Sequence, residues 1–120
     1  MKKVNLKEKF ALFSEHWTPK IVGEVNDSYV KLAKLQGEFV WHNHADEDEL
    51  FLVVKGNLTL NFRDRDAVNL SAGEFYIVPK GVEHLPVATE EAHVLLLEPK
   101  STKHTGEAVS ERTVNNQEFI

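Results

Sequence analysis

The sequence predicts an all-β protein, a sandwich or barrel of short strands, on three observations. From about Ile21 to Pro99, runs rich in Val, Leu and aromatics are broken by turn residues at Asn26–Asp27, Gly37, Gly56–Asn57, Arg63–Asp66, Ser71–Gly73, Pro79–Gly81 and Pro99. Leu58, Leu60 and Phe62 alternate with Thr59, Asn61 and Arg63, the period of two of a half-buried strand. Leu50–Val54 and Val94–Leu97 are apolar on both faces, so each needs cover from a second sheet, the N-terminal arm or another subunit.

Residues 1–20 precede the barrel as a short arm. Leu6, Phe10, Phe13 and Trp17 are spaced for one helical face that ends near Thr18-Pro19, because the residue before a proline avoids the helical region. An irregular arm that packs the same aromatics on the barrel or on a partner subunit is the alternative. Residues 21–99 form the barrel. Between Gly56 and Gly73 lie 16 residues, enough for two strands and a hairpin but not for a large lid, so the pocket should be preformed and its ligand small. Residues 100–120 are a polar tail with little regular structure, tethered through Phe119 and Ile120.

The chain has 120 residues, 14 Lys+Arg, 19 Asp+Glu, 6 His and no Cys, with 42% hydrophobic residues. That content supports one core at a length that suits one domain. The formal charge of −5 and the scattered basic residues argue against nucleic acid or an anionic membrane as partner. No apolar run approaches the ~18 residues of a membrane span. The first residues lack the apolar core of a signal peptide, and the absence of Cys excludes disulfides and thiolate metal sites. A soluble, cytoplasmic protein is the expectation.

The chemistry concentrates in two stretches. In Gly37–Gly56, His42 and His44 are two apart, so on a strand they project from one face. A turn through Ala45–Asp48 lets the next strand begin at Glu49, whose face is shared by Phe51 and Val53. In Gly73–His84, a tight turn at Pro79-Lys80-Gly81 leads to His84 at the start of another strand. Three imidazoles and one carboxylate suit one divalent transition ion (Mn, Fe, Co, Ni, Cu or Zn), and an octahedral ion keeps two positions for water or a ligand.

These stretches resemble the two motifs of the cupin superfamily. Gly37, His42, His44, Glu49 and Gly56 match the first motif in order, and Gly73, Pro79, Gly81 and His84 match the second. The resemblance covers about residues 28–99, and arguably the whole chain for the small stand-alone cupins labelled mannose-6-phosphate isomerase-like. It implies a jelly-roll-like double-stranded β-helix barrel, a metal held by His42, His44, Glu49 and His84, and frequent homodimers. Two departures stand out. Four residues rather than five separate Gly37 from His42, and Ala88 stands where the family often has Asn. A Thr-Gly step follows the last strand in related small cupins; Thr105-Gly106 resembles it, which implies a tail that folds back toward the barrel.

The other candidates have plainer readings. His16, His93 and His104 are surface or core histidines, Asp46, Glu47 and Asp48 a solvated turn, Trp41 a packing residue, and Lys80 a surface residue. Phe51, Tyr76 and Val78 either line the substrate pocket or pack the core. The favoured function is a metalloenzyme acting on a small oxygen-rich molecule by isomerase-, lyase- or dioxygenase-type chemistry, with Glu49 also moving the proton. The lack of an evident inward Arg/Lys pair disfavours a sugar phosphate. The alternative is a non-catalytic module that binds a small ligand and reports it to a partner.

Overall fold

A computed structural model of the chain describes residues 2–102, 105, 106 and 116–120. The elements are α1 (Leu6–Phe10), β1 (Lys20–Val25), β2 (Ser28–Glu38), β3 (Glu49–Lys55), β4 (Asn57–Phe62), β5 (Val68–Ser71), β6 (Phe75–Val78) and β7 (His84–Pro99). The expected all-β architecture is present, and β7 is its axis. Its 16 residues make it much longer than the short strands the turn residues imply. One edge of β7 pairs with β2, from Ser28↔Pro99 to Glu38↔Val87. The other edge pairs first with β3 (Leu50↔Leu97 to Lys55↔His93) and then with β4 (Thr59↔Val87 to Phe62↔His84). All these pairings are antiparallel; β1 adds to β2, β6 to β3 and β5 to β4. The result is a jelly-roll-like sheet curled about one core.

Gly56, the single residue between β3 and β4, lets that run turn while both strands stay on β7. It adopts φ +87°, and a Cβ there would stand 3.0 Å from the Glu91 carbonyl oxygen and 3.2 Å from Ala92 Cα. Both the backbone conformation and the close approach exclude a side chain.

The alternation read from the sequence decides what is inside. Leu58 and Leu60 are fully buried, as are Val53 of β3 and Val94 of β7, in a core with Phe39, Phe51, Leu70, Val78 and Leu96. The opposite face of β2 and β7 is covered by the arm: Phe10 and Phe13 are buried against Leu32, with Val54 and Leu95 packed beside them. That accounts for the strands that are apolar on both faces.

The arm is helical for only five residues, capped by Asn5, whose side-chain oxygen accepts from the Glu8 amide at 3.0 Å. The longer helical face through Trp17 does not form. Its second half is extended instead, with a parallel bridge from His16 to Lys34 and Trp17 at φ +56°. At the far end of the chain, Ile21 takes Glu118 and Ile120 as backbone partners at 2.7 and 2.9 Å. No helix among the described residues is long and apolar enough to cross a membrane.

Gly56→Ala should destabilise the protein by roughly 1–3 kcal/mol, the scale of backbone strain plus local repacking. Urea unfolding measures this, and wild-type stability in the variant would show that the β3–β4 corner tolerates a side chain.

Candidate metal centre

Phe39 to Asp48 carries the His-x-His pair but is not a continuous strand, contrary to the sequence expectation. Only His42 pairs, in an antiparallel bridge with His84. The His42 amide donates to the His84 carbonyl at 3.1 Å and the His84 amide to the His42 carbonyl at 2.9 Å. This bridge extends the β2–β7 line beyond β2, and residues opposite each other in such a pair face the same side. His44 is held one step on, where its carbonyl accepts from the Gly81 amide at 2.7 Å. The turn at Pro79 thus locks one ligand while His84 begins β7. Glu49 opens β3 on its inward face, with Phe51 and Val53.

Behind the pair, Gly106 stands against Asn43. A Cβ on Gly106 would lie 1.9 Å from the Asn43 carbonyl oxygen. The tail therefore returns to the barrel at the residue between the two histidines, and Thr105 beside it is fully buried.

The four side chains converge. His42, His44, Glu49 and His84 each offer one ligand atom, and those atoms lie within 4.8 Å of one another. All four residues are at most 4% exposed. His44 Nε2 is 3.3 Å and His84 Nε2 3.5 Å from Glu49 Oε1. None of these three atoms has a hydrogen-bond partner of good geometry, although each is buried. Buried polar atoms without partners are costly, and three aimed at one point fit a site for a cation. The local backbone prepares two of the rings: His42 Nδ1 lies 2.9 Å from the Val40 carbonyl and His84 Nδ1 2.9 Å from the Val82 carbonyl. A proton on each Nδ1 donates to that carbonyl and leaves Nε2 as the free lone pair, the arrangement metal-binding histidines use.

Electrostatics point the same way. Burial and the neighbouring His84 push the His42 imidazolium down to about 3, so the ring is neutral at ordinary pH. Burial works to raise the Glu49 carboxyl, but contacts with Glu98, His44 and His84 outweigh it and hold Glu49 well below the usual carboxylate range. Burial and the Glu49 charge push Glu98 well above that range. Neutral imidazoles and an ionised carboxylate are the states a metal requires.

A cavity opens beside the cluster, with about 30 Å³ of space for the centres of water-sized molecules. Its wall includes His42, Glu49, Phe51 and Leu96 from the barrel, and Trp17 and Pro19 from the arm. Of the three pocket candidates, Phe51 is in this wall. Tyr76 and Val78 turn inward on β6 but stand outside it: Tyr76 packs near Phe62, at 5.8 Å between ring centres, and Val78 joins the core. Trp41 lies under the Arg63 guanidinium, 4.0 Å from the ring centre, on the outer surface. His16 and His93 both reach Glu91, at 2.7 and 3.1 Å, away from the cluster. His104 lies outside the described residues.

Sequence reasoning missed Trp17 and Pro19 as cavity residues, and it missed Lys31 and Glu98, which are buried inside the barrel. For the last two a signal existed. Lys31 falls in step with Ala33 and Leu35, and Glu98 in step with Val94 and Leu96, at the spacing of one strand face.

Comparison with known families matches the cupin domain over residues 28–99. The chain belongs to the cupin family. It is 43% identical over 79 residues to the uncharacterized protein YdbB of Bacillus subtilis (strain 168), a match that takes in 66% of this chain. The chain covers 64% of that relative's length. A cupin-2 domain containing protein from Shewanella frigidimarina NCIMB 400 is 50% identical in its crystal structure, with a TM-score of 0.79 over 81% of this cupin and 94% of the other chain. Hydroquinone 1,2-dioxygenase from Sphingomonas sp. TTNP3 is 22% identical with a TM-score of 0.75, over 83% of this chain and 33% of the enzyme, a likeness of fold alone.

The His42 environment gives this cupin a definite acid sensitivity. In the unfolded chain the ring takes up a proton near its ordinary 6.5, and in the folded chain only near 3. The depressed value makes His42 favour the folded state above pH 6.5, and acidification below that removes the contribution. Metal-free wild type should lose about 1.4 kcal/mol per pH unit more than His42→Gln between roughly pH 6 and 4.5. Denaturant unfolding across that range measures the slopes, and equal slopes would contradict a buried neutral His42.

Proposed function

We propose that this cupin is a small-molecule metalloenzyme in which His42, His44, Glu49 and His84 hold one divalent transition ion. The observation that carries the reading is the convergence of three buried, unpartnered ligand atoms, His44 Nε2, His84 Nε2 and Glu49 Oε1. The donor set of three imidazole nitrogens and one carboxylate oxygen suits Mn, Fe, Ni, Cu or Zn. When bound, such an ion supplies Lewis acidity to a ligand with adjacent oxygens, or a binding site for molecular oxygen.

The chain's own residues then have separate tasks. Val40 and Val82 carbonyls hold the His42 and His84 rings in one tautomer. Phe51, Leu96 and Trp17 exclude bulk water from the cavity beside Glu49. Glu49 is the one carboxylate in the cavity wall and the candidate to move a proton on a bound substrate. The mainly apolar wall favours a small ligand and includes no Lys or Arg to receive a phosphate group. The reading includes a homodimer, with Phe75 and Ile77 exposed at 60% and 48% along β6, a strand that among the described residues pairs only with β3.

Elemental analysis of protein purified without chelator should find near one equivalent of a first-row metal, and His42→Ala should lose most of it. Protein that neither carries metal nor retains it after reloading would leave a binding barrel with cavity histidines and remove the metalloenzyme reading. Sedimentation at micromolar concentration should show a dimer, and a monomer there removes that part of the proposal.

A further inference from the structure

Two charged residues inside the barrel take no part in the four-residue cluster. Lys31 is 2% exposed and Glu98 1%. Their Nζ and Oε1 atoms are 2.8 Å apart. The ammonium meets the carboxyl off the hydrogen-bonding direction, so neither Glu98 oxygen has a partner of good geometry from it. Both residues occupy inward positions of β2 and β7 where neighbours in the same row are Ala, Leu and Val.

Stability alone does not account for such a pair. Removing two charges from water costs several kcal/mol per ion, and well-packed apolar residues in their place are often neutral or stabilising. The placement supplies a reason. Strands β3 and β7 pair Leu50 with Leu97 and Phe51 with Leu96. One residue further along, that register sets Glu49 beside Glu98 on the inward face. Cross-strand neighbours on one face lie side by side, so the two carboxyl groups are adjacent. A line of polar groups, Lys31–Glu98–Glu49, therefore crosses three neighbouring strands and ends at the cluster.

A glutamate carboxylate turns freely about its last torsion, which is broad and two-fold. To ligate, Glu49 must present one oxygen toward the imidazole nitrogens. Among its neighbours, the histidines lie on the ligating side and Glu98 on the strand beside it. We infer that Glu98, anchored by Lys31, is the positioning residue that fixes the Glu49 carboxylate in its ligating orientation. The inference rests on the metal-site reading above and adds a residue pair that lies outside the ligand set. Lys31 acts one step removed, drawing the Glu98 carboxyl inward across the β2–β7 ladder.

The test uses the full chain and Co²⁺ as the probe, read by titration and by the visible d–d spectrum, which reports coordination geometry. Glu98→Leu should bind Co²⁺ about 10- to 100-fold more weakly, the usual cost of losing a ligand's supporting partner, with an altered spectrum. Glu98→Gln keeps a polar group against Glu49 and should restore the wild-type spectrum and most of the affinity. Glu98→Asp keeps the carboxyl group but withdraws it by one methylene, and it should fall between the two. Thermal unfolding of each metal-free variant establishes that it is folded. Wild-type affinity and spectrum in folded Glu98→Leu would overturn the inference; if that variant does not fold, the same result in Glu98→Asp overturns it. Wild-type protein that binds no Co²⁺ would instead bring down the metal-site reading itself, so the two failures are told apart.

Discussion

The backbone bridge between His42 and His84 is the contact on which the site depends. Two reciprocal hydrogen bonds join these residues, far apart in sequence, and set both imidazoles on one side of the sheet. The bridge exists because β7 runs far enough to pair with β2 and then with the segment beyond it. The same strand carries β3 on its other edge, which brings Glu49 in from the opposite direction. One long strand with partners on both sides thus places two of the four clustered side chains directly and a third through register. The fourth, His44, hangs on the Gly81 amide and on the close approach of Gly106 to Asn43.

That geometry is held against a cost. Four ionisable side chains are buried together, and burial of imidazole and carboxylate is unfavourable without partners. The surroundings limit the cost in two ways. Two rings donate from Nδ1 to carbonyls of their own strand segments, and the Lys31–Glu98 pair stands next to Glu49. What remains unsatisfied around the cluster is His44 Nε2, His84 Nε2 and Glu49 Oε1, which point at one another, and the two oxygens of the neighbouring Glu98.

How much of this was legible in the sequence depended on whether a feature is local. The strand alternation at Leu58–Phe62, the corner at Gly56, the start of β3 at Glu49 and of β7 at His84 are local patterns, and all were readable. Paired spacing in two motifs carried the four-residue cluster, because strand periodicity and turn chemistry are both short-range. Three things were not readable. The length of β7 was hidden, since a strand start at His84 and an apolar run at Val94–Leu97 do not show that one strand joins them through the exposed Thr89-Glu90-Glu91. Tyr76 shares the inward face of β6, yet whether it reaches the cavity depends on how far β6 lies from β2, a property of how the whole sheet curls. Lys31 and Glu98 lie in the alternation, but charged side chains are almost never fully buried unless paired, and their pairing is a tertiary contact.

Trp17 shows most clearly how a distant segment acts on the site. The arm crosses the barrel mouth, and its backbone enters the left-handed region at Trp17, a conformation that costs a bulky residue roughly 1–2 kcal/mol. Two hydrogen bonds offset that cost: the Trp17 amide donates to the Lys34 carbonyl and its indole Nε1 to the Gln36 carbonyl, both at 2.9 Å. The ring then stacks on Phe39 with centres 4.6 Å apart and planes 11° apart, and Phe39 meets the His42 ring edge-on at 5.3 Å. The indole therefore bounds the space beside the cluster. About 30 Å³ exceeds the roughly 10–15 Å³ that a single water needs and is far below the volume of a typical ligand pocket. Trp17 and Pro19 of the arm thus share the cavity wall with His42, Glu49, Phe51 and Leu96 of the barrel, and the hydrogen bonds from Trp17 to β2 fix where the arm's part of that wall stands.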